Sequence, residues 1–444
     1  MGCTEVAAIG LATSTAYNAL FGNYPVHLGL GINESVPLPD TEKVEKLMIR
    51  VDRNVFKNAC GVAIPKTNGQ RGINLAAALG IFTNLNKNAT LKKQQYLNIF
   101  GQINAPILER ANSLVGKIEI GEADIGEKIT AIDISAELIY LKDETETIAK
   151  TRICGAHDNI VLIQINDRKI YEQSIDQKAE NEEENLPENI PEIIRIIEDI
   201  DAKEEEELRK TIIINKQLTK EGRGKQYGIG IVKALESLIQ NGMLSNDLMT
   251  NIKLETASGV EARMGGAPKP AMSTSGSGNM GITATVPIIV TAKWLNIDED
   301  RLLKSILLSH IVTRIISNYT GDLSALCGCF NKSAIGAAAG LTYLLGGKER
   351  EINNAINAAA SNMTGVICDG AKYSCTLKAM TAAGVAMESA LMSVNGIKIP
   401  PNGIVDEKPK DTMKNIGMIS YSMAQTDMTI VKILQNLELT LENN

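Results

Sequence analysis

Residues 129–171 read ITAIDISAELIYLKDETETIAKTRICGAHDNIVLIQINDRKIY, and their reading decides the fold. Short runs rich in Ile, Thr, Val and Tyr are broken by turn residues, which predicts strands at 129–134, 136–141, 147–154 and 160–165. The turn Asn166-Asp167 leads into a last strand at 169–171. Upstream lie an Ala-rich helix at 5–20, a turn-rich stretch at 22–40, a short strand around 47–51 and a helix at 73–85. After about Lys253 the chain becomes rich in Gly, Ala and Ser, with helical patterns at 287–295, 302–318, 334–345, 351–360, 375–394 and 412–437. The first hundred residues share that small-residue texture. The expectation is an α+β fold in which the N- and C-terminal parts (1–105 and 251–444) join in one mainly helical catalytic domain. A small α/β sheet domain (106–250) is inserted between them.

Composition limits the function classes. The chain has 444 residues, 44% hydrophobic and 22% charged, which is ordinary globular usage. Aromatics make up only 4% against 37 glycines, so the core is expected to be closely packed helices of small and aliphatic residues. The net charge is −7, but residues 180–207 alone carry 13 acidic groups against Arg195 and Lys203, leaving the rest near neutral. Within that stretch Ile190, Ile193, Ile194, Ile197 and Ile200 recur at helical spacing, so the charge is read as the solvated face of an amphipathic helix. No basic patch calls for nucleic acid or a membrane surface, and no run of 18 apolar residues is present. A cytoplasmic protein acting on a small molecule is expected.

Four of the seven cysteines fall in three short motifs: Cys327-Gly328-Cys329, Cys368-Asp369-Gly370 and Ser374-Cys375. The spacing of Cys327, Cys368 and Cys375 matches neither a zinc ribbon nor a ferredoxin, and by itself leaves buried structural thiols and metal ligands equally open. Each cysteine stands beside Gly or a turn residue, where backbone can approach a bulky group. Three thiolates from such loops would hold three corners of a cubane and leave one iron open as a Lewis acid. Cys60 and Cys329 are read as structural. The histidines, His27, His157 and His310, are too scattered for a metal triad. The run Ser273-Thr274-Ser275-Gly276-Ser277-Gly278-Asn279 is either a cradle for a carboxylate or phosphate or a flexible loop, and Arg263 beside Gly265-Gly266 could pair with a substrate carboxylate.

These motifs, in their order, resemble the family of L-cysteine desulfidases and serine-dehydratase alpha-chain-like proteins. The resemblance is carried by Gly2-Cys3-Thr4-Glu5, by Arg53-Asn54-Val55-Phe56-Lys57-Asn58 and by Gly155-Ala156-His157-Asp158-Asn159. It continues through Arg263-Met264-Gly265-Gly266, Ser275-Gly276-Ser277-Gly278-Asn279, Leu323-Ser324-Ala325-Leu326-Cys327 and Met363 to Cys375, nearly end to end. The resemblance implies a non-redox β-elimination dependent on a [4Fe–4S] cluster, taking L-cysteine to pyruvate, ammonia and sulfide. It implies Cys327, Cys368 and Cys375 as cluster ligands and gives Cys3 two roles, catalytic base or ligand. The base is favoured, since three ligands already leave the open site, and a thiol at a helix N-terminus is easily ionised. Arg263, Ser275, Ser277 and Asn279 are the candidate holders of substrate carboxylate and amine, with Lys57 and Asn58 behind them. The rivals are L-serine dehydration on the same fold, a pyridoxal-phosphate lyase using the Ser/Gly run as phosphate cup, and an inactive metal-binding sensor. A homodimer is expected from the Gly/Ala-rich faces and family habit.

Overall fold

The computed structural model describes residues 4–32, 36–85, 93–123, 132–174 and 186–442. The chain divides into two compact units, one of residues 1–182, 370–372 and 427–444, the other of residues 183–369 and 373–426. The sequence-based boundaries at 105 and 250 do not coincide with these, because the early strand enters the sheet and the helices after residue 190 pack with the later ones.

The first unit is built on a sheet of β1 (Val44–Val51), β2 (Ile118–Glu122), β3 (Asp133–Lys142), β4 (Thr145–Cys154), β5 (Ile160–Ile165) and β6 (Arg168–Glu172), ordered β2-β1-β3-β4-β5-β6. Only β1 and β2 run parallel; β3 to β6 form an antiparallel meander. The two strands expected at 129–134 and 136–141 are one, β3, with residues 129–131 outside the described residues. Asp143 and Glu144, both at positive φ, close the β3–β4 hairpin in two residues, the geometry that matches strand twist. The register pairs Leu47 with Leu138, Leu138 with Ala149 and Ile134 with Ile153, which gathers one apolar face. On it lies α1 (Thr4–Ala19), buried from Glu5 to Ala19, with Tyr17 edge-on to Tyr140 at 5.6 Å. A helix buried all round needs small residues at its crossings. Where α1 meets α3 (Ile73–Ile81), a Cβ on Gly80 would stand 2.4 Å from the Gly10 carbonyl oxygen. The unit also holds α2 (Arg53–Gly61), α4 (Ala105–Leu114) and, from Asp427 onward, α15 (Ala424–Glu442).

The second unit is helical: α5 (Ile190–Glu198), α6 (Ala202–Gly224), α7 (Ile231–Gln240), α8 (Leu248–Met264), α9 (Gly278–Leu295), α10 (Glu299–Thr320), α11 (Ala334–Leu344), α12 (Glu349–Met363), α13 (Cys375–Val394) and α14 (Pro409–Ser422). At its centre α11, AIGAAAGLTYL, is enclosed by α9, α10, α12 and α13. Its glycines set the spacing: Cβ atoms on Gly336 and Gly340 would lie 2.4 and 2.5 Å from carbonyl oxygens of Ser309 and Ser305 on α10. The acidic stretch yields α5, which buries Ile190, Ile193 and Ile197. Two helix boundaries differ from expectation. α9 starts at Gly278 under a Ser277 cap, with Pro287 inside the helix, because burial on nearly every side overrides the proline's cost. The helix expected at 412–437 is two, broken at Met423.

Candidate functional site

In the second unit the cysteine motifs meet at a short antiparallel pairing. Leu326 stands opposite Ile367, with Cys327 N–H donating to Val366 O (2.8 Å) and Cys368 N–H to Ala325 O (2.7 Å). Side chains alternate across a strand, so Cys327 and Cys368 share the face opposite to Leu326 and Ile367. They form a diagonal pair, a relation that places residues roughly 7–8 Å apart, beyond comfortable disulfide reach. Buried Asn331 fastens the two loops: its Nδ2 donates to Cys327 O and Val366 O, each at 2.9 Å, and its Oδ1 accepts from Gly365 N–H at 3.1 Å. It lies in a single π-helical turn, Cys329–Ser333, of the kind that recurs at functional sites.

The third cysteine opens α13, where Cys375 is the first residue and Lys378 stands one turn on. The Lys378 ammonium donates to Ile367 O (2.9 Å) and Asp369 Oδ1 (2.6 Å). Burial opposes its charge, but Asp369 together with the charges of Cys327 and Cys368 holds its pKa above the ordinary lysine value. Cys329 donates to Cys327 and so lowers the Cys327 pKa against the opposing effect of burial, with help from Lys378 and the Phe330 and Cys329 amides. Cys329 correspondingly stays a thiol. The neighbourhood thus favours thiolate at Cys327.

These residues fit an iron–sulfur cluster by their donor chemistry: Cys327, Cys368 and Cys375 form no disulfide, one is biased to thiolate, and an ammonium lies beside them to offset negative charge. Among the described residues no three His, Cys, Asp or Glu side chains close around a single metal ion. A cubane takes each ligand on a different iron, so its ligands stand further apart than those sharing one ion.

The Ser/Gly run packs against this turn. Thr274 and Ser277 pair across a two-residue turn in which Ser275 (φ 44°) and Gly276 (φ 74°) are both left-handed, and Ser277 then caps α9 through Met280 N–H (3.4 Å). A serine at positive φ is strained, and among the described residues the Ser275 hydroxyl has no hydrogen-bond partner. Thr274 Oγ1 and His310 Nδ1 share a 2.5 Å hydrogen bond, and burial brings His310 down to a pKa of about 4, so it supports the turn as a neutral ring. The first turn of α9 reaches the cysteines: a Cβ on Gly328 would meet the Met280 sulfur at 2.2 Å, and Cys329 contacts the Thr283 side chain.

Arg263, at the end of α8, enters the same place. It is 4% exposed, its Nη1 donates to Asn279 Oδ1 at 3.0 Å, and the missing side chain of Gly278 makes room for it, since a Cβ there would lie 2.4 Å from Arg263 Nε. Among the described residues it has no carboxylate partner. A buried guanidinium without a counter-charge is costly, and an anionic ligand relieves the cost.

Lys57 and Asn58 belong to the first unit, on α2, whose start is fixed by Asp52 accepting from the Asn54, Val55 and Asp133 amides. Burial raises Asp52 to a pKa of about 6. Lys57 pairs with Asp427 at 2.6 Å, the side chains only 1% and 4% exposed. Asn58 Nδ2 donates to Glu5 Oε1 (2.9 Å), and His157 Nε2 stands 4.0 Å from the same oxygen with no hydrogen-bond partner among the described residues. Cys3 lies outside the described residues. Glu5, His157, Asp427, Asn331 and Lys378 were not singled out by sequence reasoning; Glu5 and His157 sit inside motifs that carried the resemblance, a signal that could have found them.

Among the described residues no helix is long and apolar enough to cross a membrane. Residues 134–432, which include Arg263, the Ser/Gly turn and all the cysteine motifs just described, match the family described as serine dehydratase alpha chain. The chain is 31% identical over 447 residues to a UPF0597 protein of Desulfatibacillum aliphaticivorans, covering 98% of this chain and 94% of that one. It is 34% identical over 441 residues to one of Photobacterium profundum (98% and 95%) and 32% identical over 424 residues to one of Clostridium botulinum strain Langeland (94% and 90%). With the family match and relatives above 30% identity across nearly the whole length, the chain belongs to the serine dehydratase alpha chain family.

Proposed function

We propose that the protein is a lyase that eliminates the β-substituent of a small L-amino acid, with L-cysteine as substrate. L-Cysteine and water would give pyruvate, ammonia and hydrogen sulfide. The observation that carries this reading is Arg263, a buried guanidinium without a carboxylate partner among the described residues, beside the first turn of α9, which in turn reaches the cysteine turn. A guanidinium fork matches a carboxylate, and Asn279 fixes its orientation from the side. The Ser275 hydroxyl, held by the strained turn and without a partner among the described residues, supplies a further polar contact for the amino acid. Ser277 is spent on capping α9 and acts by fixing the turn.

Cys327, Cys368 and Cys375 would hold a [4Fe–4S] cluster, which supplies, when bound, an open iron acting as Lewis acid on the β-leaving group. Lys378 balances the negative charge of the thiolates in a buried setting. Cys3 is proposed as the base that takes the α-proton; the Cβ–S pair leaves with sulfur, and the resulting aminoacrylate hydrolyses to pyruvate and ammonia. Lys57, committed to Asp427, and Asn58, committed to Glu5, are proposed to hold α1, α2 and α15 in place.

The family description favours a second reading, L-serine as substrate with water as the leaving group. Anaerobic reconstitution with iron and sulfide, followed by assay of pyruvate from both amino acids and of sulfide from cysteine, tests both. Sulfide and pyruvate in equal amounts from cysteine support the first reading, and pyruvate from serine alone supports the second. A cluster spectrum without turnover on either amino acid rejects both.

A further inference from the structure

The groove between α6, α8 and α9 has no part in the elimination chemistry, yet it has the make-up of a ligand site. It encloses about 530 Å³, within the range of small-molecule sites. Its apolar floor is Val286, Ile289 and Val290 of α9, and its end is Trp294, the sole tryptophan of the chain, 48% exposed. Its rim carries Lys216 and Lys220 from α6 and Lys293 from α9. The one lining carboxylate, Glu255, is taken up by Arg223 at 2.6 Å. None of the three lysines has a carboxylate partner among the described residues. Thr219, on the wall and 5% exposed, holds a buried hydroxyl with no hydrogen-bond partner among the described residues.

We infer that this groove binds a small organic anion composed of a planar ring and a phosphate, of the mononucleotide class. The half-exposed indole offers a stacking face for a flat heterocycle, and the aliphatic floor accepts its edge. Three unpaired ammonium groups give the groove a net positive charge, and flexible lysine point charges suit the tetrahedral oxygens of a phosphate. The inference does not depend on the proposed elimination.

Because Trp294 is the only tryptophan, its emission reports this groove alone. The test titrates the whole protein with AMP, with adenosine and with inorganic phosphate, and repeats the AMP titration on a K220E/K293E variant whose circular dichroism matches the parent. The inference expects saturable quenching by AMP below about 1 mM, a Kd raised about tenfold or more in the variant, and binding at least about tenfold weaker for adenosine or phosphate alone. Absence of saturable quenching by AMP to about 10 mM overturns it, as does an AMP affinity undiminished in the variant. Phosphate binding as tightly as AMP reduces the groove to an ion site and rejects the ring. Protection of Trp294 from iodide that disappears on dilution would assign the groove to a second copy of the chain and overturn the inference too.

Discussion

At the scale of single residues, the decisive property of Arg263 is that it has no counter-charge among the described residues. Burial with only Asn279 for company costs stability in the empty protein, so removing the charge should not weaken the fold even though it should weaken activity. For R263M the expectation is a thermal midpoint no lower than the parent's, with kcat/KM reduced roughly 10–100-fold or more, the value of a lost charge-assisted pair. R263K, which keeps charge but not the fork, should lose activity mainly through KM. A large drop in midpoint with unchanged KM would make Arg263 a packing residue. Asn331 is the opposite case. Its three hydrogen bonds hold the Cys327 and Cys368 loops together, so N331A should cost about 2–4 kcal/mol in chemical denaturation and lower the iron retained after reconstitution. Arg263 was legible in the sequence because it stands in a Gly-rich motif. Asn331 was not, since its partners Gly365 and Val366 are distant in sequence and it stands in the polar run Asn331-Lys332-Ser333, which gives no local sign of a tie between loops.

At the scale of elements, the small residues of the helices are spacing devices, and their legibility stops at the level of texture. The Gly/Ala-rich run of α11 announces close packing, but nothing local says that Gly336 and Gly340 face the carbonyls of α10 and not those of α12. The structure makes the distinction measurable. G340A gains helix propensity, but its methyl would press on the Ser305 carbonyl at 2.5 Å and on Ile288, so the expected net loss is about 1–3 kcal/mol. G224A, at the exposed end of α6 with nothing within 4 Å of the new Cβ, should instead gain about 0.5–1 kcal/mol. Urea unfolding of the two variants beside the parent reads the difference, and equal effects would show that α10 and α11 can move apart. Strand reading succeeded where periodicity was local: β4, β5 and β6 lie where the alternation puts them. It failed at the break between 134 and 136, where Asp133 and Ile134, the described end of the first run, continue into the second as the single strand β3.

At the scale of the molecule, the division into units escaped composition because it depends on pairing between remote segments. β1 joins β3 across more than eighty residues of chain, and α15 returns from the far end to place Asp427 on Lys57. Neither event leaves a local signature. The units should therefore be separable by a property that each carries internally, and the buried titratable groups supply one. Asp52, in the first unit, has its pKa raised by burial from the ordinary 3.8 to about 6. The folded form binds its proton more tightly than the unfolded chain, so this contribution is whole below about pH 4 and is lost as pH rises through about 6, a change of about 3 kcal/mol. His310, in the second unit, has its pKa lowered by burial from 6.5 to about 4. Here the unfolded chain takes the proton first, so the contribution is whole above about pH 6.5 and is lost as pH falls through about 4. Between pH 4.5 and 6.5 the two groups tilt their units in opposite directions. Hydrogen exchange followed by mass spectrometry, corrected for intrinsic rates, should show protection around α2 rising on acidification relative to a D52N variant. Protection around the Thr274 turn and α10 should fall on acidification relative to an H310Q variant. Parallel slopes in both regions, unchanged by the two substitutions, would mean that other carboxylates govern the acid response and that Asp52 and His310 titrate as they do in the unfolded chain.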